Sequence, residues 1–148
     1  MHLLRPLILL VGLLAMLGSA MPLHAETLVI RASGSASAGM WPNMRVWVNG
    51  TLIGETAVGD GTVPPQTGTN IYSAPADYSF TFTAPVGQRL IVDVAFTNDA
   101  YENGQDRNLV IESLRLPERG LTLPANNPAA PFYQGQLPPD RKSTRLNS

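Results

Sequence analysis

The alternation of apolar and polar side chains along this chain constrains its fold more than any other sequence feature. Between residues 26 and 116, apolar residues recur at every second position in four runs, and no run shows helical spacing. The alternating positions are Leu28, Ile30 and Ala32; Met44, Val46 and Val48; Tyr78, Phe80 and Phe82; and Leu90, Val92, Val94 and Phe96. Because glycines and prolines separate these runs, the pattern predicts an all-β domain, an antiparallel β-sandwich of the jelly-roll type.

Two further segments add to the predicted strands. Asn49-Gly50 lies between apolar runs at 44–48 and 51–56, and this dipeptide is a strong hairpin signal because both of its residues adopt positive φ. The last predicted strand, 108–116, carries apolar residues at neighbouring positions as well as alternating ones. We therefore expect this strand to be covered on both faces.

The composition excludes several classes of function. The 148-residue chain has a formal charge of −1 and only 14% charged residues, so it lacks the basic surface of a nucleic-acid-binding protein. The chain has no cysteine, which excludes disulfides, thiolate metal sites and cysteine nucleophiles. Its two histidines, His2 and His24, both lie in the N-terminal segment, which argues against histidine-based catalysis or metal binding.

The N-terminal segment, residues 1–25, has the features of a secretory signal peptide. Arg5 precedes an apolar run of about 11 residues, which is too short to cross a bilayer, and small residues follow it. Cleavage is expected after Ala20 or after Ala25, and an uncleaved anchor is the alternative. We therefore expect a secreted protein, extracellular or periplasmic, with no membrane contact after cleavage.

The C-terminal segment also differs from the middle of the chain. Six prolines between residues 117 and 139 predict an extended linker over 118–139, so that the domain itself spans 26–117. Residues 140–148 are a direct translation of a common sequencing-adapter sequence, and an ordinary basic tail is the alternative. We therefore expect the natural protein to continue beyond residue 139, into a covalently linked downstream domain.

The segment 97–109 holds most of the side chains that carry chemistry. It combines three carboxylates and three side-chain amides: Asp99, Glu102 and Asp106; Asn98, Asn103 and Gln105. Calcium prefers six to eight oxygen ligands of these kinds, and a short acidic loop with a glycine bend can supply them. The segment does not match an EF-hand, however, and on the residues alone a solvated polar loop is the default interpretation.

The order of several short motifs resembles calcium-dependent xylan-binding carbohydrate-binding modules of families 60 and 36. The resemblance rests on Phe-x-Asn-Asp at 96–99, on Asp-Arg-Asn-Leu at 106–109, and on upstream segments at 28–34 and 46–50. It covers about residues 27–116, essentially the whole predicted domain. The Asp-Arg-Asn-Leu motif with the preceding Asn-Asp pair is the most specific part of it.

This resemblance implies a set of ligands for an exposed calcium ion. Asp99 and Asp106 would supply the carboxylates, and the backbone carbonyl of Gln105 would be a third ligand. Two adjacent hydroxyls of a sugar would complete the coordination, which selects xylan or a related β-glycan as partner. Tyr101 would be the aromatic residue that family members often present near this loop.

Two other side chains are candidates for sugar contact. Trp41 follows a glycine-rich segment and is expected either to stack on a pyranose ring or to pack internally. Glu102 is expected either to contact ligand or to be solvated. The acids cluster in one loop instead of facing each other across a cleft, so we expect no enzymatic activity from this chain.

Three functions therefore remain open at this point. The first is a non-catalytic module that binds β-glycan through calcium. The second is the N-terminal part of a secreted glycoside hydrolase or another polysaccharide-active enzyme. The third is a calcium-stabilised structural or adhesion domain that binds no sugar.

Overall fold

The computed structural model describes residues 22–125 in full and the backbone of residues 132–136 and 142–147. Within these ranges the only helical segment is a 3₁₀ turn at Pro117–Arg119, and none of the described residues form a helix that could span a membrane. The strands are β1 (Leu23–Ser35), β2 (Asn43–Val48), β3 (Thr51–Ala57), β4 (Ala76–Pro85), β5 (Ile91–Phe96), β6 (Tyr101–Glu102), β7 (Gln105–Asp106), β8 (Asn108–Leu116), β9 (Leu121–Pro124), β10 (Phe132–Gln136) and β11 (Lys142–Asn147).

The strands form two main antiparallel sheets. One has the order β4-β1-β8-β9 and the other has the order β10-β11-β5-β2-β3, while β6 and β7 form a separate short ribbon. Side chains from both main sheets contribute to one buried hydrophobic cluster. This architecture confirms the predicted all-β antiparallel sandwich.

The core consists of the residues that the alternation placed on one face of each strand. Leu28 and Ile30 of β1 pack with Met44 and Val46 of β2 in this cluster, and all four are fully buried. Each large aliphatic side chain buried in this way contributes roughly 1.5–3 kcal/mol of hydrophobic free energy. The two-residue period therefore identified the inner faces correctly.

Strand β8 does not behave as predicted, because a register shift changes which positions face the core. The pairing of β1 with β8 shifts between Arg31 and Ala32, so that Glu112 of β8 lies opposite no residue of β1. Leu109 and Ile111 pack against the core before this bulge, and Leu114 and Leu116 do so after it. The run of neighbouring apolar residues thus reflects a bulge and not burial of both faces, since Val110 is exposed.

The Asn49-Gly50 hairpin between β2 and β3 forms as predicted. Asn49 has φ +50° and Gly50 has φ +80°, the two positive values that this turn requires. Asn49 also pairs with Ile91 at the start of β5: the Asn49 N–H donates to the Ile91 carbonyl (2.8 Å), and its Oδ1 accepts from the Ile91 N–H (2.8 Å). The hairpin is therefore fixed to β5 as well as to its own strands.

Three loops meet at the end of the sandwich opposite this hairpin. The register pairs Ser35 with Asn108, Met44 with Phe96, and Asn43 with Ala57, so these strand ends lie at one level. The loops that leave from them are residues 36–42, residues 58–75 and residues 97–107. We call them the first loop, the long loop and the acidic loop.

The domain boundaries differ from those predicted. Strand β1 already begins at Leu23, and strand β9, Leu121–Pro124, pairs with β8 inside the predicted linker. The linker prediction is therefore wrong for residues up to 124. The prolines fit because Pro117 lies at the start of the 3₁₀ turn and Pro124 ends an edge strand, where a missing N–H costs little.

Other terminal predictions fall largely beyond the described residues. Residues 1–21 of the predicted signal peptide lie outside them, as do residues 126–131 and 137–141. The backbone of 132–136 and of 142–147 forms β10 and β11, and β11 pairs with β5. This pairing does not test the origin of residues 140–148.

Candidate functional site

The acidic loop connects β5 to β8 and contains its own small hairpin. Tyr101 pairs with Asp106 and Glu102 pairs with Gln105 in the ribbon formed by β6 and β7. Asn103 (φ +51°) and Gly104 (φ +80°) form its two-residue turn, with the same conformation as the Asn49-Gly50 turn. The sequence signal is the same dipeptide, Asn-Gly, although the flanking strands are too short to show alternation.

Arg107 fixes the shape of this loop from the inside. Its side chain is only 4% exposed, and its guanidinium donates to the carbonyls of Met40 (3.1 Å), Ser37 and Asn98. Its backbone N–H donates to the Ala100 carbonyl (2.8 Å). Arg107 thus joins the acidic loop to the first loop.

Two serines, Ser35 at the end of β1 and Ser37 in the first loop, hold backbone carbonyls of the second half of the acidic loop. The Ser35 hydroxyl donates to the Asp106 carbonyl (2.7 Å), and the Ser37 hydroxyl donates to the Gln105 carbonyl (3.0 Å). The side-chain amide of Asn108 donates to the same Asp106 carbonyl (3.2 Å). Both serines are fully buried, so these carbonyls are held in defined positions.

The two predicted carboxylate ligands lie on either side of Arg107 in this arrangement. Asp99 is exposed and lies between Asn98 and Ala100, whose carbonyls Arg107 binds, while Asp106 is half-buried and directly precedes Arg107. Burial lowers the pKa of the Arg107 guanidinium, and the negative charge of Asp99 raises that pKa. Asp99 is therefore close enough to this guanidinium to interact with its charge.

The donor set around these aspartates fits calcium in its chemistry. Among residues 22–125, no group of three or more His, Cys, Asp or Glu side chains is placed to hold a metal ion. A cation here would rest on two carboxylates supplemented by backbone oxygens. The Gln105 carbonyl, the proposed third ligand, accepts from the Ser37 hydroxyl (3.0 Å) and is held in place by it. Mixed carboxylate and carbonyl oxygens are the ligands that calcium prefers.

The Gln105 side chain has a role that the sequence did not reveal. It is 1% exposed, its Oε1 accepts from the Thr67 N–H (3.1 Å), and its Nε2 donates to the Thr69 carbonyl (2.9 Å). The backbone of Gln105 thus faces the first loop while its side chain holds the long loop. The residue links both neighbours of the acidic loop.

The long loop makes further contacts with the acidic loop. Asn70 Oδ1 accepts from the Asp106 N–H (2.7 Å), and the Gln66 side chain bonds to those of Glu102 (3.0 Å) and Asn103 (2.7 Å). Sequence reasoning missed this loop as part of the site. Its length was the available signal, since connections longer than about 12–15 residues are uncommon and are often functional.

The aromatic candidates differ in their exposure. Tyr101 is 73% exposed on β6, and Glu102 beside it is also exposed. Trp41, in contrast, is only 8% exposed, and its ring covers Gly59 so closely that a Cβ there would lie 2.2 Å from the Trp41 Cδ2 atom. The expectation that Trp41 stacks on a sugar does not fit this placement, because the packed ring offers no open face.

Comparison with known proteins gives a match to one protein family. A family model described as CBM60, Ca-dependent carbohydrate-binding module xylan-binding, matches residues 27–127. The chain belongs to this family. It is therefore a carbohydrate-binding module, and the match extends past the predicted boundary at residue 117 to include β9 and its turn. The sequence resemblance to family 60 is confirmed.

Other comparisons add a structural likeness to this module. A solved structure described as vCBM60 in complex with galactobiose matches with a TM-score of 0.49 and 19% sequence identity. The match covers 82% of this chain and 95% of that one. No curated protein matches the module.

Proposed function

We propose that this module binds xylan or a related β-glycan through a calcium ion held by Asp99 and Asp106. The observation that supports this most is the position of Arg107, which anchors the segments carrying both aspartates. The description of the matching family, calcium-dependent and xylan-binding, agrees with the proposal.

Hydrogen bonds within the protein hold backbone oxygens of the proposed site in place. The hydroxyls of Ser35 and Ser37 fix the carbonyls of Asp106 and Gln105 before any ligand arrives, so little ordering of the loop is required on binding. Asp99 remains exposed at the rim. A cation with these ligands would keep part of its coordination open to the solvent.

Calcium bound there would coordinate pairs of neighbouring hydroxyl oxygens, which replace its water ligands. The exposed rim at Asp99 and Tyr101 leaves room for a polysaccharide chain to approach without entering a cleft. We therefore expect binding within a chain and not only at its ends. A single sugar would bind weakly, because it exchanges well-bound water for similar oxygens and buries little area.

The proposal is tested by affinity electrophoresis in gels that contain soluble xylan, β-glucan or galactan. We expect xylan to retard the protein in calcium and not in chelator. Asp99→Ala and Asp106→Ala should each abolish the retardation, because each removes one of only two carboxylate ligands. Glu112→Gln serves as the matched control, since Glu112 is an exposed acid on β8 whose partner is Arg31.

Three results would contradict the proposal. Retardation by xylan that persists in chelator would show that binding does not depend on calcium. If both aspartate variants were retarded as strongly as Glu112→Gln, neither Asp99 nor Asp106 would be part of the binding site. Absence of retardation in all three polymers would favour a structural role for the loop.

A further inference from the structure

The long loop presents a second exposed tyrosine next to the acidic loop. Tyr72 lies near its C-terminal end, is 48% exposed, and pairs through an isolated bridge with Ser35. The Ser35 hydroxyl in turn donates to the Asp106 carbonyl. Tyr72 is therefore one residue contact away from a proposed calcium ligand, although 34 positions separate the two in sequence (106 − 72).

Tyr72 and Tyr101 lie on opposite sides of Asp106. In a two-stranded ribbon the backbone groups of a residue point either toward the paired strand or away from it. Those of Asp106 point away from Tyr101, since its N–H donates to Asn70 and its carbonyl accepts from Ser35. Asn70 and Ser35 are the near neighbours of Tyr72, so the two tyrosines flank Asp106.

Each of the three loops at this end of the module carries at least one exposed apolar side chain. Residues 22–125 contain nine large apolar side chains that are exposed, and four of them lie on the three loops: Met40, Ile71, Tyr72 and Tyr101. The remaining tyrosine of this range, Tyr78, is half-buried, and its hydroxyl accepts from the Gly59 N–H (3.1 Å). Tyr72 and Tyr101 are therefore the two exposed tyrosines of residues 22–125, and both lie on these loops.

We propose that Tyr72 is a second aromatic platform, which packs against a sugar unit of the same glycan beyond the units held at Asp99 and Asp106. This inference rests on the proposed function. A chain held at Asp106 passes over both flanks of this residue, and Tyr101 and Tyr72 supply one ring on each. A tyrosine ring offers an apolar face to the C–H groups of a pyranose.

The hydrogen bonds between the two loops support this role for Tyr72. Gln105 and Asn70 hold the long loop against β7 of the acidic loop, so the position of Tyr72 is fixed relative to Asp106. A platform on a fixed loop loses little conformational freedom when a sugar binds. Tyr72 therefore adds affinity for long chains without acting on the cation itself.

The experiment is isothermal titration of xylobiose, xylohexaose and calcium into the protein and three variants. We expect Tyr72→Ala to weaken xylohexaose binding roughly three- to tenfold, the range of one aromatic contact. Its xylobiose binding should change less, and its calcium affinity should stay the same. Tyr72→Phe keeps the ring and should bind like the wild type. Leu52→Ala, which truncates a side chain that is 51% exposed near the Asn49-Gly50 hairpin, should also bind like the wild type.

The outcomes separate this inference from the proposed function. Unchanged xylohexaose affinity in Tyr72→Ala would overturn the inference alone. A parallel loss of calcium affinity would also overturn it, because Tyr72 would then support the loop instead of contacting sugar. A wild-type protein that binds calcium but no xylohexaose would overturn the proposed function and the inference with it.

Discussion

Among single residues, Arg107 joins the acidic loop, which carries the proposed calcium ligands, to the first loop. Its guanidinium has three carbonyl partners in two segments that lie far apart in sequence, at residues 37–40 and at residue 98. A planar guanidinium can serve several acceptors at once, which an ammonium group on a flexible stem cannot do in the same way. A buried arginine is therefore the side chain best suited to this position.

Replacement of Arg107 tests this role. Arg107→Met leaves three carbonyls without their donor, and we expect the free energy of unfolding to fall by about 2–4 kcal/mol. Arg107→Lys keeps the charge and one point of contact, and should recover part of this loss. Urea unfolding measures both variants. Equal stability of Arg107→Met and the wild type would show that the guanidinium does not hold the loop.

The aromatic residues show the limit of sequence reasoning at the same scale. Tyr101 and Trp41 both lie near polar, glycine-containing segments, and the sequence gives no sign of which ring is covered. Burial of Trp41 depends on Gly59, which leaves space for its ring and lies 18 positions away (59 − 41). Such a pairing of an indole with a distant glycine is a tertiary contact and has no local signature.

At the scale of structural elements, the acidic loop and the long loop act as one unit. Gln105 connects them through a buried side chain whose amide oxygen and nitrogen are both hydrogen-bonded, although its neighbours in sequence are exposed or half-buried. The resemblance to family 60 implied a role only for the backbone carbonyl of Gln105. The contribution of its side chain could not be inferred, because its partners at residues 67 and 69 belong to another loop.

Gln105→Leu tests the connection between the loops. Leucine is similar in size but cannot pair with the Thr67 N–H or the Thr69 carbonyl, and we expect a loss of about 1–3 kcal/mol in stability. Hydrogen exchange at the Thr67 amide should become faster. The amide of Ser73 is the internal control, since it donates to the Gly34 carbonyl (2.9 Å) and should keep its protection. Unchanged exchange at Thr67 would contradict this account.

The strands were predictable because their alternation is a local property of the sequence, as in β1 and β2. The exceptions have identifiable causes. The bulge in β8 at Glu112 shifts the phase of the alternation, and the edge strand β9 follows a proline-containing turn that composition alone classified as linker. The bulge and strand β9 both depend on pairing with a neighbouring strand, and such pairing cannot be inferred from a local sequence pattern.

At the scale of the whole molecule, the two ends of the sandwich differ in how their charged side chains are buried. The end opposite the three loops is closed by Arg119, which binds both carboxylate oxygens of the buried Glu26 (2.6 Å each) and the Gln88 carbonyl (2.6 Å). The hydrogen bond to Glu26 raises the pKa of Arg119. The loop end has its own buried arginine, Arg107, but leaves Asp99, Glu102 and its two tyrosines exposed.

This division places the proposed binding surface on loops that the sandwich positions without taking part in binding. Membership of the carbohydrate-binding family follows from the match over residues 27–127, and the proposed calcium dependence rests on two side chains at one end of that fold. The dependence on calcium is therefore the central claim of the account.

The most direct test is titration of xylohexaose into a single protein sample under three successive conditions: calcium, excess chelator, and calcium restored. The account predicts binding heat in the first, none in the second and full recovery in the third, with circular dichroism showing the same β structure throughout. Binding heat that persists in excess chelator would contradict it.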